Sequence, residues 1–162
     1  DEAVSTAFKS FKELADKKKE VTDADLEVLV VGRARADGPW ELRAFSSTAG
    51  TTDGAHASVR VCGPEGEIIE AAVGDGPIDA AVRAIARATG FGEPGVLDFR
   101  AYAVGRGEDA QGQVTLTCDH EGRTFSGHGV STDVVEASAR AFLDVVNRCT
   151  STTSSSETVA IP

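Results

Sequence analysis

Gly74-Asp75-Gly76-Pro77-Ile78-Asp79-Ala80-Ala81 is the stretch on which the fold of this chain turns. An alternating run, Glu67 to Val73, leads into it. Out of it runs an apolar stripe at helical spacing, Ile78, Ala81, Val82, Ile85 and Ala88. The two glycines permit main-chain angles closed to other residues and allow close approach to the backbone. Pro77 suits the first helical position, where a missing N–H costs nothing, and Gly90 suits the C-terminal cap. The free N–H groups of that first turn, with the helix dipole behind them, make a small anion site.

The same register recurs near the C-terminus. Ile78-Asp79-Ala80-Ala81-Val82-Arg83-Ala84-Ile85 aligns with Val135-Glu136-Ala137-Ser138-Ala139-Arg140-Ala141-Phe142. Going backwards, Val73 falls on Val130, and Glu65-Gly66 falls near Glu121-Gly122. A repeat fixes architecture. Here it predicts an α+β fold of two βββα units, residues 40–91 and 96–149, within a domain spanning 37–149.

Alternation and turn composition place the strands. In the first unit they are Trp40 to Ala44, Ala57 to Cys62 and Glu67 to Val73, with Gly63-Pro64-Glu65-Gly66 as a hairpin turn. In the second they are Val96 to Val104, Gln113 to Cys118 and Thr124 to Val130. Ser131-Thr132-Asp133 with Glu136 caps the last helix. Its buried stripe is read as Val134, Val135, Ser138, Phe142, Val145 and Val146. The Ser/Thr-rich residues 150–162 are expected to be disordered.

Ahead of the domain, residues 1–36 read as a helical linker. Val4, Ala7, Phe8, Phe11, Leu14 and Ala15 share one helical face, and a second short helix follows Thr22. Two such helices cannot bury their apolar faces on each other, so they are expected to dock elsewhere. The chain has no Met and begins inside a predicted helix, which suggests a piece of a longer protein.

Composition excludes several classes. Net charge is −10, which argues against nucleic acid and anionic membrane as partners. The Lys17-Lys18-Lys19 run is short and sits where a helix C-terminus favours positive charge. No apolar run approaches the roughly 18 residues of a membrane span, and no signal peptide is visible. Cys62, Cys118 and Cys149 are odd in number and lack a C-x-x-C, so reduced structural thiols are expected. Cys62 and Cys118 are placed at similar strand positions. His56, His120 and His128 lack metal-ligand spacing.

Four motifs, in order, resemble the 2-isopropylmalate synthase family. Phe11-Lys12-Glu13-Leu14-Ala15-Asp16-Lys17-Lys18-Lys19-Glu20-Val21-Thr22-Asp23-Ala24-Asp25-Leu26 resembles the segment after the catalytic barrel. The Gly74–Ala81 stretch, Gly107-Glu108-Asp109-Ala110-Gln111-Gly112, and Gly127-His128-Gly129-Val130-Ser131-Thr132-Asp133-Val134-Val135-Glu136-Ala137-Ser138 resemble the C-terminal regulatory domain. The resemblance runs to Arg148.

That resemblance implies a regulatory domain that binds L-leucine at or near a homodimer interface. Leucine would inhibit the condensation of acetyl-CoA with 2-oxoisovalerate in leucine biosynthesis. The partner implied in the same parent chain is a TIM barrel that uses a divalent metal and acetyl-CoA. This chain is too short for that barrel and has no His-x-His pair, so it is expected to be non-catalytic and to need no cofactor itself. The location implied is cytoplasmic, or the plastid stroma in a photosynthetic eukaryote.

Family correspondence places the effector pocket on Ile78, Val96, Phe99 and Ala103, near Ala110, with Val130, Thr132 and Val134 closing it. The carboxylate of the effector would meet backbone N–H groups at Gly74, Gly76 and Ile78. Its ammonium would meet carbonyls or Asp75, with Pro77 and Asp79 completing the turn. The family commonly has tyrosine where Phe99 stands, so one polar contact is missing here. Two other readings share the architecture: the isoleucine-sensing domain of a citramalate synthase, and a dimerisation module without effector.

Overall fold

The computed structural model describes residues 3–6, 8, 9, 12, 38–105 and 107–159, with the side chains of Asp109 and residues 154–159 left aside. Of the predicted linker, residues 3–6, 8, 9 and 12 are helical. The remainder, including the Thr22 cap and the lysine run, lies outside the described residues.

Two antiparallel sheets of three strands follow, each in sequential order and each succeeded by a helix. Strands β1 (Glu41–Gly50), β2 (Gly54–Gly63) and β3 (Gly66–Gly74) lead into α1 (Pro77–Thr89). Strands β4 (Gly95–Val104), β5 (Gln111–His120) and β6 (Arg123–Ser131) lead into α2 (Val134–Val159), with a 3₁₀ turn at Gly107–Asp109. The period-2 rule is plainest in β2, where Ala55, Ala57, Val59 and Val61 are buried and their neighbours are not. This is the predicted α+β arrangement of two βββα units.

The repeat holds down to strand register. Phe45 pairs with Val59, as Phe99 pairs with Leu116. Both first strands carry a bulge at the same place, between Leu42 and Ala44 and between Val96 and Asp98. Val61 pairs with Ile68 as Cys118 pairs with Phe125. Cys118 is therefore the counterpart of Val61, and the predicted match to Cys62 is off by one residue. That slip sends Cys62 to the other sheet face, where it is only half-buried while Cys118 is fully buried.

Each helix lies on the last two strands of its own sheet, and the helices touch each other. The seat of α2 is the Gly127-His128-Gly129 motif. A Cβ on Gly129 would strike the Ala137 carbonyl and the Ala141 amide, and one on Gly127 would strike the Ala141 carbonyl and Val145. Two glycines facing the helix thus let backbone approach backbone. Asp133 caps α2: its Oδ1 accepts the Val135 N–H at 2.8 Å and its carbonyl accepts the Ala137 N–H at 2.9 Å. Glu136 makes an ion pair with Arg140 at 2.7 Å instead of reaching back to close the expected capping box.

Burial on α2 is wider than the predicted stripe. Ala137, Ala139, Ala141, Leu143 and Cys149 are buried too, because the helix meets β5, β6, α1 and β1. Val134, predicted inward, is 40% exposed. The residues after Cys149, expected to be disordered, continue the helix to Val159. Thr150, Ser151, Thr152 and Thr153 donate their hydroxyls to the carbonyls four residues back, at 2.9–3.0 Å. These bonds satisfy the hydroxyls within the helix, although such back-bonding adds no helix stability of its own.

Candidate functional site

The turn between β3 and α1 differs from its sequence reading in one respect. Gly76 adopts φ −148° and ψ 172°, extended backbone open to any residue, and a Cβ there would meet nothing within 4 Å. Gly74 also lies outside the left-handed region. What Gly74 supplies is absence of bulk, since a Cβ would strike the Ala80 amide and lie 2.7 Å from Asp79 Oδ2. Pro77 stands at the start of α1 as predicted, with Gly90 in the left-handed cap at φ 70°.

Asp79 folds back over this turn. Its Oδ2 accepts the Asp75 N–H at 2.9 Å and meets Arg83 Nε at 2.9 Å. A protein carboxylate therefore lies at the start of the helix, where the dipole favours it, and binds one amide of the preceding turn, that of Asp75. The hydrogen bond and charge of Asp79, with smaller help from Glu93 and Asp75, hold the Arg83 guanidinium above its usual pKa.

Beside this turn a cleft of about 250 Å³ opens between α1 and the second sheet. Its apolar walls are Ile78 and Val82 of α1, Val96 and Phe99 of β4, Leu116 of β5, and Pro94 from the connection. Asp79, Arg83 and Glu93 give it a charged rim. A broader groove of about 470 Å³ adjoins it, sharing Arg83, Glu93 and Pro94 and adding Arg87, Gly90 and Gly92.

The cleft gathers Ile78, Asp79, Val96 and Phe99 from the predicted set. Val82, Arg83, Glu93, Pro94 and Leu116 were not in that set. Helical spacing from Ile78 and Asp79 would have found Val82 and Arg83, and the partner of Phe99 across the sheet would have found Leu116. Ala103, Ala110, Val130, Thr132 and Val134 do not line the cleft. They belong to the neighbourhood of the α2 start. Ala103 pairs with Gly112, a Cβ on which would touch the Ser131 carbonyl at 3.3 Å and Val134 at 3.6 Å. Val130 pairs with Gln113, and Ala110 closes the 3₁₀ turn by donating to the Gly107 carbonyl at 3.2 Å. Phe99 and Ala103 stand four positions apart on β4, roughly 13 Å along the strand.

The equivalent place between α2 and the first sheet has the same parts in a different state. Glu136–Arg140 repeats Asp79–Arg83, and Leu42 and Phe45 repeat Val96 and Phe99. Leu42 is 9% exposed and Phe45 half-buried, whereas Val96 and Phe99 are 45% and 38% exposed. Both helices contact β1, the strand that carries the first pair. Leu97 and Tyr102 are exposed as well, so the edge strand β4 presents an apolar row to solvent.

The thiols are not poised for chemistry. Burial, with a smaller contribution from Cys149, pushes Cys118 up to about 11, and burial also pushes Cys149 up to about 11. Among the described residues, no group of three or more His, Cys, Asp and Glu is placed to hold a metal. Among the same residues, no helix is long and apolar enough to cross a membrane.

Two βββα units with a small open cleft between a helix and an edge strand define an α+β domain built from a repeated unit. The chain belongs to the LeuA allosteric (dimerisation) domain family, whose sequence profile matches residues 20–150. It is similar to the 2-isopropylmalate synthase of Ruminiclostridium cellulolyticum, at 44% identity over 91% of this chain and 29% of that protein. The 2-isopropylmalate synthase of Heliobacterium modesticaldum is 43% identical over 91% of this chain and 29% of its own length. That of Trichodesmium erythraeum is 42% identical over 91% and 28%. The chain thus spans less than a third of the length of these curated relatives.

Proposed function

We propose that this chain is the feedback-regulatory domain of a 2-isopropylmalate synthase and binds L-leucine in the cleft between α1 and β4. The observation that carries this is the meeting of Ile78, Val82, Val96, Phe99 and Leu116 around one small cavity with a charged rim. An amino acid with a branched aliphatic side chain has that shape: apolar at one end, doubly charged at the other. At about 250 Å³ the cavity is smaller than the roughly 300–1,000 Å³ typical of drug-sized sites. Burying an isobutyl group contributes about 1.5–3 kcal/mol. Discrimination of one aliphatic isomer from another is worth about 1–3 kcal/mol, so cavity outline sets the choice.

The assembly proposed is a homodimer joined along β4. Two-fold pairing of an edge strand with its own copy is isologous. It would carry the Ala103–Val134 end of one copy toward the Val96–Phe99 end of the other, bringing the two groups of predicted site residues together. The catalytic partner is the barrel of the parent synthase, which condenses acetyl-CoA with 2-oxoisovalerate and holds its own divalent metal. The setting is the cytoplasm, or the plastid stroma in a photosynthetic eukaryote.

Calorimetry and thermal melting with L-leucine and L-isoleucine test the reading. Leucine is expected to release heat and raise the melting temperature, as any ligand of the native state alone must. Heat with isoleucine only would transfer the domain to a citramalate synthase. No effect of either would leave a dimerisation module without effector.

A further inference from the structure

An antiparallel hairpin alternates between residue pairs that exchange main-chain bonds and pairs that do not. In β2–β3 the two-residue turn makes Gly63–Gly66 a bonded pair, and the alternation leaves Ser58–Ala71 unbonded. In β5–β6 the same count from His120–Arg123 leaves Thr115–His128 unbonded. Strands β3 and β6 are edges of their sheets, so the N–H and C=O of Ala71 and of His128 point away from the sheet. Such outward groups are a template for another strand.

Each edge is met at that point by a charged side chain of the helix that follows it. Arg87 of α1 donates from Nη1 to the Ala71 carbonyl at 3.0 Å. Asp144 of α2 accepts the His128 N–H on Oδ2 at 3.0 Å. The register that sets Val73 on Val130 sets Ala71 on His128, and the register that sets Ile85 on Phe142 sets Arg87 on Asp144. One place in the fold thus carries a base in the first unit and an acid in the second. The sign of the charge is reversed and the target, the outward main chain of the edge, is kept. We infer that Arg87 and Asp144 guard the edges β3 and β6 against strand addition by another copy of this chain. Two β3 edges related by a two-fold axis are self-complementary, and the apolar flank such a contact needs is present: Ile69 and Val73, on either side of Ala71, are both exposed. An incoming strand must bond both main-chain groups of Ala71 and finds the carbonyl taken. Neither guard lines the leucine cleft, and both stand away from β4, the strand proposed to join the dimer.

Sedimentation velocity over a range of concentrations, with thermal melting alongside, tests this on the chain as it stands. Arg87 is exposed, so Arg87→Ala is expected to keep the wild-type melting temperature and yet associate. Its weight-average mass should rise with concentration toward about twice the wild-type value, as pairing about a two-fold axis requires. Arg87→Lys keeps a donor and is expected to sediment as wild type. Adding Ile69→Lys to Arg87→Ala puts a charge on the bare edge and is expected to abolish the association. On the other edge, Asp144→Asn keeps an acceptor and should sediment as wild type, whereas Asp144→Ala should associate. Asp144 is buried, so its loss also costs stability; the Arg87 series is free of that cost and decides. Wild-type mass for Arg87→Ala at every concentration would overturn the inference. Association that Ile69→Lys leaves untouched would overturn it too, since the contact would then lie away from β3.

Discussion

Asn147 holds the main chain of Trp40 at both ends: its Oδ1 accepts the Trp40 N–H at 3.0 Å and its Nδ2 donates to the Trp40 carbonyl at 2.9 Å. The two residues belong to different units, one on α2 and one just ahead of β1. The side chain imitates a neighbouring strand and satisfies a peptide that no strand reaches. Gly38 must be small for the same reason, since a Cβ there would strike the Asn147 side chain; Gly63 makes room for the Trp40 ring in the same way. This clamp brings α2 over the start of β1 and makes the two units unequal.

Asn147→Ala is therefore expected to destabilise the domain by about 1–3 kcal/mol, the cost of leaving half-buried peptide groups unpaired. Trp40 is the only tryptophan, so its emission reports the clamp directly. Denaturant unfolding of the variant should show a lower midpoint and a red-shifted native spectrum. An unchanged midpoint would mean that water replaces the amide without loss.

The glycines divide into two kinds, and substitution separates them. Gly129→Ala should cost on the order of 3 kcal/mol, since helix and strand backbones cannot move apart cheaply. Gly76→Ala should be nearly neutral, because its angles are ordinary and the space around it is open. Thermal melting of the pair checks both statements. A larger loss at Gly76 than at Gly129 would contradict the packing described here.

Strands, helices and their repeat were legible because they depend on local period and on turn residues, which the chain states twice. The cleft was half legible. Ile78 and Phe99 stand out as large apolar residues beside special turns, but Arg83 and Glu93 look like ordinary surface charges until the fold places them together. The fold-back of Asp79 was not legible, because it depends on one rotamer rather than on a pattern. Nor was the inequality of the units: Asn147 is a polar residue in a helix, and only the position of Trp40 in space gives it a task. The helix after Cys149 was missed because Ser and Thr are poor helix formers in isolation, while their hydroxyl bonds within the helix leave no compositional trace.

Thiol titration gives a pH prediction with a definite sign. Cys118 stays protonated in the folded state until about 11, against an ordinary 9.0. Between those values the unfolded chain has released its proton and the folded chain has not, so stability falls as pH rises, by about 1.4 kcal/mol per pH unit for a fully shifted thiol. Cys118→Val installs the residue found at the equivalent position, Val61. The variant should match wild type below about pH 8.5 and lose less stability between pH 9 and 11. Parallel curves across that range would show that the thiol titrates normally.

Binding should depend on the open edge more than on the core. Phe99→Ala removes a ring that is 38% exposed, so folding should survive while leucine affinity drops tenfold or more, consistent with about 1.5–3 kcal/mol for such a side chain. Val96→Ala trims a second wall of the same cleft, one that is 45% exposed, and should weaken leucine binding with little change in melting temperature. Calorimetry on the two variants measures both effects. Unaltered affinity in each would move the site away from the α1–β4 cleft.

Among the described residues, the α1–β4 cleft is open while Leu42 and Phe45 at the equivalent place are more deeply buried, so the expected stoichiometry is one leucine per chain. The most direct measurement is a set of intermolecular NOEs from the δ-methyls of labelled L-leucine to the protein, recorded at saturation. The account predicts contacts to the methyls of Ile78, Val82 and Val96 and to the ring of Phe99, with a single set of bound-leucine signals. Contacts confined to the Leu42–Phe45 side, or none at all, would contradict it.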